Sequence, residues 1–336
     1  MILLAALALV VVTTIGVGGI FMQNGQQQKM FTIGLVQYAP VSNILTAGFK
    51  QGMEERGYVE GVNVRYVETA PTLDNTLLEQ NARDLVAANV DLIYATTAVG
   101  GLAALHATSE IPIVWTHAAI AVANGLAASY SSSDNNSTGI EISFAELTRK
   151  KMEFLTRIDP TIQSVGILVP SAQDLATLST LPIVEAEASN YNITLVRYPV
   201  ESSVDTVATV EVEQIMQRMQ LGEFDAYVYI PSPSIAGESL NTQIAMTKRL
   251  RVPSFWLTQD EVIKGGLFTY EYDNIAMGKQ SAGQAHKILQ GTSPSDIPIE
   301  FPQKVSLIMN FDTAEEIGLS IPNDIVQLVD IQIRSQ

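Results

Sequence analysis

One pattern in this chain occurs twice. Asp91-Leu-Ile-Tyr-Ala-Thr-Thr-Ala-Val-Gly100 leads through small residues to Ile111-Pro-Ile-Val-Trp-Thr-His117. Asp225-Ala-Tyr-Val-Tyr-Ile-Pro-Ser-Pro-Ser234 leads through a helical run to Val252-Pro-Ser-Phe-Trp-Leu-Thr258. Each copy has an Asp, a short apolar run, a cluster of hydroxyls, a helical segment, and apolar-Pro-x-x-Trp. The only two tryptophans, Trp115 and Trp256, fall at equivalent places. A repeated strand–turn–helix–strand unit predicts two similar α/β lobes, and two such lobes enclose a space between them.

The 336 residues leave room for two domains. With 47% apolar and only 16% charged residues the chain can bury large cores, which excludes disorder. A formal net charge of −16 opposes nucleic-acid binding, which rests on Lys and Arg neutralising phosphates. The absence of cysteine removes disulfides, thiolate metal sites, Cys nucleophiles and lipid attachment through an N-terminal Cys.

Met1 to Met22 is uncharged and nearly all apolar, and the first charged side chain is Lys29. A run of this length can cross a bilayer core, which takes about 20 apolar residues. It reads as an apolar helix, either a secretory signal or an uncleaved anchor. No Lys or Arg precedes it and no A-x-A site follows it. Residues 23–28 read as a polar linker, so the fold is expected to begin near Phe31.

Apolar runs and helical stripes then alternate. Strands are predicted at Phe31–Gln37, Asn63–Glu68, Asp91–Tyr94 and Ile111–Trp115. Helices are predicted from Ser42 to about Arg56, from Asp74 to Ala88 and from Val99 to Thr108. Residues 127–139 are rich in Ser and Asn and read as a loop or strand edge. Ser164-Val-Gly-Ile-Leu168 then repeats Thr32-Ile-Gly-Leu-Val36. Strands follow at Asn192–Tyr198, Asp225–Ile230 and Pro253–Leu257. The helices between them are Leu175–Ser189, containing Pro182, then Thr206–Gln220 and Glu238–Leu250. Beyond Thr258 the duplication runs out into a strand at Gly266–Tyr272, a helix at Ala276–Leu289, a strand at Lys304–Asn310 and a short helix at Asp312–Ile317. Strands alternating with helices give parallel sheets with right-handed crossovers.

In such sheets ligands sit beyond the carboxyl ends of strands. The candidates there are Gln37 and Tyr38, Thr96 and Thr97, Trp115 and Thr116, Ser232, Thr258 and Gln259, and Tyr272 and Asp273. Thr96 and Thr97 open a helix, whose free N–H groups favour an anion such as a carboxylate. Tyr38 and Trp115 offer apolar faces, and Asp273 can hold an amine. Each residue also has a plain structural reading: hydroxyls at helix starts serve as caps, a Trp at a strand end can be core, and Asp273 can cap the helix beginning at Ala276. Their joint placement is the stronger signal. No catalytic site is expected. His106, His117 and His286 lack metal-ligand spacing, and there is no nucleophile elbow, P-loop or G-x-G-x-x-G after a strand. No metal or cofactor is expected.

Gly48-Phe-Lys-Gln-Gly-Met-Glu-Glu-Arg-Gly-Tyr-Val-Glu-Gly61 with Asn63-Val closely resembles the first helix of the ABC-transporter substrate-binding proteins of the tryptophan/tyrosine-binding type. Ile111-Pro-Ile-Val114, Gly125-Leu126, Thr138-Gly139, Gly278-Lys-Gln-Ser-Ala-Gly283, Lys287-Ile-Leu-Gln-Gly291 and the ending Gly318-Leu-Ser-Ile-Pro322 are similar to it too. The resemblance covers about residues 31–330. It implies a type I-like periplasmic-binding-protein fold, two Rossmann-like lobes joined by three hinge crossings. It implies lobe 1 over 31–141 and 266–292, and lobe 2 over 142–265 and 293–336. It further implies an extracytoplasmic, non-enzymatic monomer that presents a small amino-acid-like ligand, often aromatic, to a membrane permease. The family's cleft segments fall on Gln37-Tyr38, Thr96-Thr97, Thr116, Thr258-Gln259 and Tyr272-Asp273. Where the family usually has Asp-Pro, this chain has Ile120-Ala121, which removes a cleft-side polar group. Two other readings stay open: a membrane-anchored ligand-sensing domain that signals through a partner protein, and an enzyme acting through Asp273 or His117.

Overall fold

A computed structural model describes residues 29–335, apart from 171–174, 203–204, 231 and 233–238. The expected apolar helix over residues 1–22 lies outside them. Among the described residues no helix is long and apolar enough to cross a membrane.

The first sheet has strand order β2-β1-β3-β4-β5, built from β1 (Phe31–Val36), β2 (Val64–Glu68), β3 (Leu92–Thr96), β4 (Ile113–Ala119) and β5 (Ser137–Ile142). All its pairings are parallel. Helices α1 (Ser42–Glu54), α2 (Asn75–Ala87) and α3 (Thr97–Ala107) connect the strands.

The second sheet contains β6 (Ser164–Pro170), β7 (Thr194–Val200), β8 (Ala226–Val228), β9 (Ser254–Phe255), β10 (Phe268–Tyr272), β11 (Val305–Asn310) and β12 (Ile331–Ile333). Their order is β12-β11-β10-β9-β8-β6-β7. Its portion β7-β6-β8-β9-β10 reproduces β2-β1-β3-β4-β5, so the duplication continues one strand past Thr258. β10 stands where β5 stands in the first sheet. The helices of this half are α4 (Phe144–Ile158), α5 (Leu175–Asn190), α6 (Asp205–Arg218), α7 (Ser239–Leu250) and α8 (Gln259–Ile263). After β10 come α9 (Asn274–Leu289), α10 (Phe311–Glu316) and α11 (Asn323–Val326). Pro182 lies inside α5, which runs on through it.

The repeated Asp has the same task in both halves. Asp91 accepts the Thr32 N–H at the start of β1 (2.8 Å). Asp225 accepts the N–H groups of Gln163 (2.9 Å) and Ser164 (2.8 Å) at the start of β6. Burial acts to raise the Asp225 carboxyl, but these donors and the Ser164 hydroxyl outweigh it and hold it below the usual carboxylate range. Trp115 and Trp256 are both fully buried, each with its indole N–H on a serine hydroxyl, Ser137 (3.2 Å) and Ser254 (2.9 Å). The echo therefore marks two matched cores.

The chain passes between the sheets three times. It leaves β5 at Ile142 and enters α4, whose Met152 and Leu155 pack into the second sheet's core. It leaves β10 at Tyr272 and enters α9, which lies against α1. Finally it leaves residues bonded to the first sheet (Glu300 N–H to Gly139 carbonyl, 3.0 Å; Glu141 N–H to Glu300 carbonyl, 2.9 Å) and enters β11. This corrects the expected membership of two segments. The strand within 266–292 belongs to the second sheet, because it pairs with β9 and β11. Residues 297–300, expected with the second lobe, bond to the first.

Helices α1 and α9 cross with almost no space between them. A Cβ on Gly48 would stand 2.3 Å from the Ile275 carbonyl oxygen, and one on Gly278 would stand 2.3 Å from that of Leu45. Only glycine permits this approach. It sets the first turn of α9 beside that of α1.

Candidate functional site

Because β1, β3 and β4 are parallel neighbours, their carboxyl ends form one rim. The chain leaves β1 and β3 through non-glycine residues in the left-handed region, Ala39 (φ 65°) and Thr97 (φ 65°); in β4 His117 (φ 58°) forms a bulge between Trp115 and Ala118, and Ile120 (φ 46°) follows the strand. For a β-branched residue such as Thr97 this is a strained conformation. Such strain costs on the order of 1–3 kcal/mol per residue and clusters where a ligand or a switch needs it.

A small network fixes this rim. The Thr96 hydroxyl accepts the Tyr38 N–H (3.0 Å) and shares a hydrogen bond with Ser42 (2.6 Å), whose hydroxyl also reaches the Tyr38 carbonyl (2.7 Å). Thr96 thus ties β3 to the β1–α1 turn. Thr97, at the start of α3, has a buried hydroxyl oxygen with no hydrogen-bond partner among the described residues. An unmatched buried hydroxyl at a helix start, beside free N–H groups, is poised for a polar ligand atom. Burial pushes the His117 imidazole down to about 4, so it is neutral at physiological pH.

The remaining candidates divide. Gln37 is buried; its amide N–H donates to the Thr69 carbonyl (2.6 Å) and its amide oxygen accepts from the Thr46 hydroxyl (3.0 Å). It borders a cavity of about 350 Å³ with Lys50 and Glu68, on the β2 side of α1. Trp115 is fully buried core and offers no face to a cleft. Thr116 and Ser232 are buried too. Thr258 begins α8, where the Glu261 carboxylate accepts the N–H groups of Leu257 (2.8 Å) and Thr258 (2.6 Å).

Gln259, Tyr272 and Asp273 come together. They border one cavity of about 390 Å³ between the second sheet and the first turns of α1 and α9, which contribute Ile44 and Asn274. Asp273 is not free to hold an amine. One of its carboxylate oxygens accepts the Ala276 N–H (2.9 Å), and the other accepts from Lys304 (2.6 Å). Burial acts to raise its carboxyl, but Lys304 and the helix N–H groups hold it below the usual range.

Sequence reasoning missed the charged residues behind this cavity. Glu271, on β10, accepts the Gln259 N–H (3.1 Å), and burial pushes its carboxyl up to about 7. Lys151, on α4, donates to the Trp256 carbonyl (2.8 Å), and burial pushes it down to about 8. Burial raises Glu261 as well. The sequence signals were a Glu inside the apolar run Phe268-Thr-Tyr-Glu-Tyr272, and an unread helical stripe through Leu147, Met152, Leu155 and Ile158. Among the described residues no group of His, Cys, Asp and Glu could hold a metal ion.

Two duplicated sheets joined by three crossings, with strained strand ends and a cavity at their junction, define the two-lobed architecture of type I-like periplasmic binding proteins. The chain belongs to the ABC transporter substrate binding protein family, whose model matches residues 38–332. It is similar to a tyrosine-binding protein of Clostridioides difficile (strain R20291), with 23% identity over 88% of this chain and 83% of that one. In fold it matches an ABC domain from Streptococcus pneumonia in complex with L-Trp, at a TM-score of 0.74, 19% identity, and coverage of 91% of this chain and all of that one (100%). It also matches the ligand-free, open structure of a substrate binding protein with adhesive properties from Clostridium difficile, at a TM-score of 0.75, 20% identity, and coverage of 92% and 100%.

Proposed function

We propose that this chain is the extracytoplasmic solute-binding component of an ABC importer, and that it binds a small amino-acid-like ligand between its two lobes without turning it over. Residues 31–142 and 274–300 form one lobe, and residues 144–272 and 305–335 the other. The partner is a membrane permease, and the protein acts as a monomer delivered or held at the membrane by residues 1–22. Closure about the three crossings would couple occupancy to transport. An aromatic amino acid heads the ligand candidates, because the similar proteins are a tyrosine-binding protein and one solved with L-Trp.

The observation that carries this reading is the set of left-handed residues along one sheet rim, Ala39 after β1, Thr97 after β3 and His117 at the bulge of β4, with the unmatched Thr97 hydroxyl among them. The test is thermal unfolding of residues 29–336 against L-tryptophan, L-tyrosine, other amino acids, purines and sugars. A ligand at a hundred times its Kd stabilises by about 2.7 kcal/mol. A melting temperature that rises only with an amino acid supports the reading, and no rise with any amino acid overturns it.

A further inference from the structure

We propose that Glu271 receives a protonated amine of the bound solute, with the side-chain oxygen of Asn274 as a second acceptor in the same cavity. This rests on the solute-binding reading above and deepens it.

A balance of charges around the cavity of about 390 Å³ carries the assignment. Its lysine, Lys304, is committed to Asp273. Asp273 has both oxygens engaged, and Asp330 accepts the Leu307 N–H (2.8 Å). Asp330 likewise has one oxygen engaged but is exposed to solvent, whereas Glu271 is half-buried. One carboxylate oxygen takes the Gln259 N–H, and the other has no hydrogen-bond partner among the described residues. The Asn274 side-chain oxygen is buried and unpartnered as well. The lining therefore sets three carboxylates, Glu271, Asp273 and Asp330, against one ammonium, Lys304, and is short of positive charge. A buried acceptor left unmade costs about 1–3 kcal/mol, more when charged. An ammonium group supplies three N–H donors and the missing positive charge. Ile44, Ile275 and Ile308 border the same cavity and suit an apolar body attached to that amine.

The test is calorimetric binding of L-tryptophan and L-tyrosine, each beside its des-amino analogue, indole-3-propionate and 3-(4-hydroxyphenyl)propionate. The proteins are wild type, the near-isosteric Glu271→Gln, and Asn274→Ala. A charge-assisted hydrogen bond corresponds to a loss of about tenfold to a hundredfold. Wild type should prefer the amino acid to its analogue by that factor. Glu271→Gln should erase the preference by lowering amino-acid affinity far more than analogue affinity, and Asn274→Ala should weaken the preference less. Equal losses for both compounds, or an undiminished preference in Glu271→Gln, overturn the assignment alone. No binding of either amino acid to wild type overturns the underlying reading and the assignment with it.

Discussion

The Tyr272 hydroxyl stands 3.1 Å from the Ser143 backbone nitrogen and 3.3 Å from the Ser143 carbonyl oxygen, so two of the three chain crossings are pinned to each other. Tyr272 sits there in a small cluster with Leu45, Ile142, Leu147 and Met277, drawn from both halves. Tyr272→Phe keeps the ring and removes the link. It should cost about 1 kcal/mol in urea unfolding, within the range for one hydrogen bond. A larger effect is expected on amide exchange at residues 142–144, because the crossing itself is freed.

Asp273 caps α9 and pairs with Lys304. Asp273→Ala should lose about 1–2 kcal/mol, the range for an N-cap. Asp273→Asn, which keeps a capping oxygen, should lose less. The carboxyl is held below its ordinary value in the folded protein. Its contribution is therefore fully present above the unfolded value near pH 4, and is lost as pH falls through the lower folded value. Stability curves of wild type and Asp273→Ala should converge in that acidic window.

Glu271 has the opposite sign. Burial raises it to about 7; the Gln259 N–H and Lys151 oppose this, while Glu261 and Asp260 add to it. Asp273, Asp330 and Lys304 border the cavity it faces. Below its unfolded value near pH 4.3 the side chain is protonated in both states. As pH rises through about 7 the folded protein must give up that proton, and stability is lost. Between about pH 5 and about pH 8, wild type should lose about 1–3 kcal/mol more than Glu271→Gln. An amine ligand needs the carboxylate. Its affinity should therefore fall about tenfold from about pH 8 to about pH 6, and that slope should vanish in Glu271→Gln.

Thr97 holds a left-handed backbone at the edge of the rim. Thr97→Gly should relieve strain and raise unfolding free energy by about 1 kcal/mol, after the entropy cost of glycine is taken off. The same variant should bind the solute more weakly. Higher stability with lower affinity marks a strained functional position; a variant that loses both would show that Thr97 is structural.

Gly48 and Gly278 face the neighbouring helix backbone at 2.3 Å from any added Cβ. Gly48→Ala should cost about 3 kcal/mol or more, since two backbones must separate. Because α1 and α9 bring Ile44 and Asn274 to the cavity, ligand affinity should fall with it.

Much of this architecture was legible in the residues. Continuous apolar runs mark buried parallel strands, so β1, β3, β6 and β8 lie where their runs lie. The doubled Asp and Trp foretold two matched lobes. Sheet membership was harder to read. Phe268–Tyr272 carries the same apolar run whichever sheet it joins, and only its pairing with β9 and β11 decides. Helix α4 carries a readable apolar stripe, Leu147, Met152, Leu155 and Ile158, but a lysine inside that stripe, Lys151, gives no local sign of being buried. The candidate site was legible as strand ends and not as atoms. Local sequence says that Thr96 follows a strand; it does not say that Ser42 and Tyr38 occupy its hydroxyl.

The seating of α9 on α1 also dictates an order of events on the ribosome. The glycine face of α1 and the Gly139 carbonyl wait for partners, Gly278 and Glu300, that are synthesised after nearly all of the second half. The amino-terminal half therefore cannot mature ahead of the rest, as independent beads on a string would. A nascent chain halted near Ile142 should stay protease-sensitive until the distal segment emerges and docks.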